Sequence, residues 1–135
     1  MGPVDEAVVC LQRALAMAEA VGVGERQLAS LRSHLALGQL ALGAVDDAEA
    51  TLAAIPDADG DGQAFDAAEL QLVRGALLAL RGDRAGARPL LLRSDLADAR
   101  TRSADRPAAA LLAALDGAPA PEIDSVAIRA LVSAL

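Results

Sequence analysis

Apolar side chains recur along this chain at steps of three and four residues, in blocks divided by glycine and proline. Residues 3–20 carry Val4, Val8, Leu11, Leu15 and Ala18 in such a series, which predicts an amphipathic helix. Pro3 fits its first turn, and Asp5 and Glu6 suit the positive end of its dipole. Val21-Gly22-Val23-Gly24 stops it. A second helix over about 25–42 has Leu28, Leu31, Leu35 and Leu42 on one stripe and Leu37, Leu40 and Ala41 beside it. Two stripes predict a helix covered on both sides, ended by Gly43. A third, over 45–55, opens with Asp46 and Asp47 and stops before Pro56.

Residues 57–63 read as a loop. A fourth helix over about 64–81 sets Leu70, Val73, Leu77 and Leu80 on one stripe and Leu72, Ala76 and Ala79 on another. Gly82 ends it, and Asp83 is placed to cap a fifth helix reaching about residue 102. Pro89 lies inside that segment and predicts a kink or a delayed start. A short sixth helix over 107–115, with Asp105 near its N-cap, a proline-bearing linker over 117–121 and a last helix over 123–135 complete the chain. No run reads as a strand, so the fold class is all-α.

The blocks repeat. Gly2-Pro3-Val4-Asp5-Glu6-Ala7 matches Gly43-Ala44-Val45-Asp46-Asp47-Ala48, and Gly82-Asp83-Arg84-Ala85-Gly86-Ala87 keeps the glycine and the alanine. The alanines step by 41 and then 39 residues, a spacing of stacked helical units that each bury an apolar face on the next. An alanine at that point lets the second helix of a hairpin approach the first closely.

On these residues the chain resembles the tetratricopeptide repeat family. Gly75, Gly82-Asp83 and Ala87 match its small residue in the first helix, its turn glycine and the small residue opening its second helix. Leu35-Ala36, Gly43, Ala48 and Pro56 fit the same frame one unit earlier, with the proline early. The likeness covers roughly residues 3–96. The large aromatics of the family are absent, Arg74 stands where leucine is usual, and the period exceeds the usual ~34 residues. Degenerate repeats near 40 residues look like those of large bacterial signal-responsive regulators.

The resemblance implies one domain, an α–α hairpin superhelix of about three hairpins plus a terminal helix. Its clearest repeats would span 3–102, with capping helices over 103–135. It further implies a concave surface built by the first helix of each hairpin. Here that surface would be lined by Ser33, Leu37, Leu40 and Ala41 from one unit and by Glu69, Leu72, Ala76 and Leu80 from the next. Such a groove is shallow and apolar, suited to a partner helix or an extended peptide. The expected function is a protein-interaction or scaffolding module without catalysis. The alternatives are an effector-sensing domain of a larger bacterial transcription activator or signalling protein, and a self-associating module. The first helix reads as the second helix of a hairpin, so an apolar face of residues 3–20 is expected to be left uncovered in a piece of a longer array, covered by another subunit as in a homodimer, or packed locally by the C-terminal helices.

Composition narrows the partners. The chain has 135 residues, 54% hydrophobic, enough for a continuous core, yet Phe65 is its one aromatic side chain. All 12 basic residues are arginine, a bias that fits a GC-rich bacterial coding sequence. A net charge of −7 argues against nucleic acid or an anionic membrane as partner. A single cysteine, Cys10, excludes an internal disulfide, and the acidic N-terminus lacks the pattern of a signal peptide. A cytoplasmic location follows as the expectation.

Candidate chemistry is sparse. Asp57-Ala58-Asp59-Gly60-Asp61-Gly62 copies the first half of an EF-hand calcium loop, but Ala68 stands at position 12 and Glu69 falls one residue late. The segment reads as a solvated acidic loop, with weak calcium binding through Asp57, Asp59 and Asp61 as the alternative. Eight acids and no arginine lie between Asp46 and Glu69, whereas seven arginines lie between Arg81 and Arg106. That arginine run is either solvated surface or a polar contact patch, with Arg84 and Arg88 one turn apart. His34 has no second histidine or nearby cysteine for a metal site and is expected to face solvent or make one hydrogen bond. Cys10 reads as a small core residue. No phosphate loop, dinucleotide fingerprint or nucleophile–base pair is present, so neither cofactor nor metal is expected.

Overall fold

A computed structural model describes residues 2–55, 67–100, 106–119 and 125–135. Among these the chain is all-helical: α1 Pro3–Val21, α2 Glu25–Ala41, α3 Val45–Ala53, α4 Ala67–Leu80, α5 Arg84–Arg100, α6 Pro107–Leu115 and α7 Val126–Ala134. They fall into two compact units, Met1–Asp66 and Ala67–Leu135. The acidic Asp57–Gly62 motif and Asp105 lie outside the described residues.

In the first unit α1 packs against α2 and α2 against α3. The Gly2 amide donates to Asp5 Oδ2 at 3.0 Å, closing the first turn of α1. The stripes of α2 are covered in part: Leu28, Leu35 and Leu40 are buried, Leu31, Leu37 and Ala41 half-buried, and Leu42 is exposed at 43%. Full burial of a leucine stabilises by about 1.5–3 kcal/mol, so Leu35 and Leu40 anchor this unit. Gly38 lets α1 come close: a Cβ there would lie 2.8 Å from Val8 Cγ2. Arg32 reaches Glu19 at 3.9 Å and Glu25 at 3.8 Å, adding a weak charged link between α1 and α2.

In the second unit α4 packs on α5, α5 on α6 and α6 on α7, and α4 also touches α6. Asp83 caps α5 by accepting from the Gly86 amide at 2.9 Å. Ser125 caps α7 in the same way, from the Ile128 amide at 3.3 Å. Gly75 brings α4 against α5, since a Cβ there would lie 2.8 Å from both Cγ and Cδ2 of Leu91 and 3.4 Å from the Ala87 carbonyl oxygen. Leu91, Leu111 and Leu131 are fully buried, one each on α5, α6 and α7.

The hairpins α2–α3 and α4–α5 are built on one register, 39 residues apart. Ala36 corresponds to Gly75, Gly43 to Gly82, Ala48 to Ala87 and Leu52 to Leu91. Gly43 and Gly82 each take a left-handed conformation, φ 81° and 86°, at the end of the first helix. The amide three residues beyond the helix then returns to the carbonyl five residues back, Ala44 to Gln39 and Asp83 to Leu78, both at 2.9 Å. A side chain strains such a position, and glycine does not. Ala48 and Ala87 are both fully buried. Where the register differs, chemistry changes: Thr51 donates to Gln39 Oε1 at 2.7 Å, whereas the equivalent pair in the second hairpin is Leu90 and Leu78.

Two expectations are revised. Pro89 does not delay α5, which starts at Arg84 with the proline inside it. It lies on an exposed face, where its ring meets solvent, and it removes the one helical bond that an amide there would make to the Ala85 carbonyl. Cys10 is exposed rather than a core residue, because it stands on the side of α1 turned away from Val8 and α2.

Candidate interaction surface

The eight positions expected to line a groove divide evenly between the units. On α2, Ser33 and Leu40 are buried at 4% and 1% exposure, while Leu37 and Ala41 are half-buried. On α4, Leu72 and Ala76 are buried at 5% and 1%, while Glu69 and Leu80 are half-buried. Each helix therefore gives two of its four positions to packing and keeps two in partial contact with water. α2 is the most buried helix of its unit, and Gly38 on α2 and Gly75 on α4 serve close approach to α1 and α5.

The most exposed apolar surface lies elsewhere, on α1. Ala7, Cys10, Met17 and Val21 are exposed and Ala14 is half-buried, with Met17 at 70% and Val21 at 78%. Their steps of three, four, three and four residues form one narrow seam along the helix. The series Val4, Val8, Leu11, Leu15 and Ala18, of which Val8 meets α2 at Gly38, lies beside it, and Glu6 and Arg13 flank it on the other edge. The signal is present in the sequence as a second apolar series interleaved with the first. In the second unit α5 exposes Leu92 at 46% and Leu96 at 60%.

The arginine-rich stretch has an internal use. The Arg84 guanidinium donates to the Leu115 carbonyl at the C-terminal end of α6, at 3.2 Å, where the helix dipole favours a cation. Arg88 forms a forked pair with Asp116 just beyond that end, one contact being 3.3 Å. The bond from Arg88 holds the Asp116 carboxyl below its ordinary value, and the same bond raises the Arg88 guanidinium. Arg106 grips Asp95 of α5 through two bonds, at 2.9 and 2.6 Å. Three arginines thus tie α5 to α6 and its approaches.

His34 is exposed, with Nδ1 2.8 Å from the Ser30 carbonyl oxygen one turn earlier. Among the described residues no group of three or more histidine, cysteine, aspartate or glutamate side chains could hold a metal ion. None of the described helices is long and apolar enough to cross a membrane. No known family model, curated protein or solved structure matches the chain.

Proposed function

We propose that this chain is a non-catalytic protein-interaction module built from repeated helical hairpins, similar to tetratricopeptide repeats, and that it binds a helical partner. The observation that carries the proposal is the seam on α1, where Met17 and Val21 stay largely exposed beside a stripe already used to pack on α2. A contiguous apolar strip on a strongly charged chain is a recognised mark of an interaction surface. The recurrence of Gly43–Ala48 as Gly82–Ala87, with both alanines buried, supports the repeat part of the proposal. Binding by helix-in-groove packing asks for spaced apolar anchors, which the seam provides.

The test is capture of a stoichiometric protein partner from the source cells by the intact chain, compared with Met17→Glu and Val21→Glu. Capture lost in both variants, with an unchanged circular dichroism spectrum, supports the module. No partner captured by the unaltered chain, or capture indifferent to both changes, overturns it.

Self-association is the second reading, favoured by the 3.5-residue spacing of the seam, which is that of helices paired lengthwise. With about five residues a side the seam falls well short of the roughly 20–30 of a standard interface, so such a dimer would be weak. Sedimentation that shows one monomer mass over a wide concentration range removes this reading.

A further inference from the structure

The geometry points to α1 as a third copy of the face on which the first helix of a hairpin docks, and to its partner as a separate, antiparallel amphipathic helix that sets a glycine or alanine against Leu11 and the Ala7 backbone. This rests on the interaction-module proposal and gives it a partner chemistry.

Three helices carry the same spaced set. It is Ala48, Leu52 and Ile55 at the end of the first hairpin, Ala87, Leu91 and Ser94 in the second, and Ala7, Leu11 and Ala14 in α1. The first two sets are buried throughout, none above 6% exposure. In α1 the alanine is exposed and the other two are half-buried. The α4–α5 pair shows what such a face receives. Gly75 brings the α4 backbone so near that any side chain would strike Leu91.

The other neighbours of α1 agree with this assignment. Val8 turns toward α2, and its counterpart in α5 is Arg88, which turns toward α6. α1 is therefore to α2 as α5 is to α6, and the counterpart of α4 is the helix that the α1 face would take. Within a second copy of the chain, the α2 and α4 small-residue faces are already covered, with Ala36 fully buried and Gly75 against Leu91. Neither of these faces is therefore free to be the occupant, and a separate helix resembling α4 is. Charge states its sequence further. Glu6 near the start of the face and Arg13 one to two turns on ask an antiparallel partner for a cation toward its C-terminal end and an acid toward its N-terminal end. α4 has that order, with Glu69 in its first turn and Arg81 just past its last residue.

The probe is a labelled peptide of residues 67–82, held helical by a lactam between two exposed positions and titrated into the full chain by fluorescence anisotropy. Saturable binding is expected, weakened at least about tenfold by Ala7→Leu in the chain and by Gly75→Leu in the peptide, since either fills the close approach. Ala7→Leu leaves Ala87 untouched, so exchange of the peptide with α4 would not respond to it. No saturable binding, or binding indifferent to both substitutions, overturns the inference. A concentration-dependent dimer of the chain alone that Met17→Glu abolishes would give the face to a second copy and overturn it too. Capture of a cellular partner through Met17 and Val21 that survives Ala7→Leu would uphold the module while rejecting this partner chemistry.

Discussion

Helices α1 and α5 present nearly the same residues at the same spacing, Ala7, Leu11 and Ala14 in one and Ala87, Leu91 and Ser94 in the other, yet only the second set is buried. α5 is packed by α4 on one side and α6 on the other, while α1 packs against α2. Their second contacts differ as much. α1 meets α2 with an aliphatic side chain, Val8 against Gly38, and α5 meets α6 with a set of arginines. A repeated sequence motif thus specifies a docking face but not its occupancy. What remains uncovered is where a partner has room to act.

Core truncation should separate the two helices most. Leu91→Ala empties a fully buried site and is expected to cost about 2–5 kcal/mol, whereas the register-equivalent Leu11→Ala, half-buried, costs about 1 kcal/mol. Urea unfolding followed by circular dichroism measures both, and equal losses would erase the distinction. Next are the close-approach glycines. Gly75→Ala sets a Cβ against the branch carbon of buried Leu91, and the strain outweighs the helix-propensity gain, for a net loss of about 1 kcal/mol. Gly38→Ala meets one terminal methyl of Val8 on a helix with an open side, so its net change should be near zero. Thermal midpoints of the two variants compare them directly.

Acid sharpens the polar half of the comparison. The Asp116 carboxyl is lowered from 3.8, so the stability that its bond with Arg88 contributes is complete above that ordinary value. It is lost as pH falls through the lowered one. The Arg88 guanidinium is raised by the same bond and adds no pH dependence near neutrality. Acid titration should therefore loosen α5–α6 contacts in the native chain, and Asp116→Asn should flatten that part of the profile. Hydrogen exchange of α6 amides between pH 5 and 3 reads the effect, and identical profiles for the two proteins would refute it. The smallest effect is expected at Met17→Glu, within about 0.5 kcal/mol of the unaltered chain because the side chain is already largely in water.

Local chemistry made most of the helices legible. The stops at Gly22, Gly43 and Gly82, the cap at Asp83 and the acidic start of α3 carry their own geometry, and α6 spans the residues its periodicity indicates. α2 buries Leu28 and Leu35 of one apolar series and Leu40 of the other, while Leu42 at its end is exposed. Tertiary facts were harder to read. Cys10 lies in an apolar helix, and only the presence or absence of a second neighbour decides whether it is core or surface. The partners of Arg84 and Arg88 lie 31 and 28 residues away in sequence, a separation no local pattern encodes. Of the two outcomes Pro89 announces, the delayed start is absent, since α5 opens at Arg84 with the exposed proline inside it.

Cys10 offers the most direct measurement, since it is the single thiol of the chain and lies in the middle of the α1 seam. Its rate of reaction with a neutral aromatic disulfide reagent can be set against that of Leu90→Cys, its register equivalent in α5, in a Cys10→Ser background. If α1 presents an open docking face, Cys10 reacts in the native protein nearly as fast as in urea, and the α5 cysteine is slowed. A native Cys10 that reacts only when the chain unfolds would contradict the open face and the function built on it.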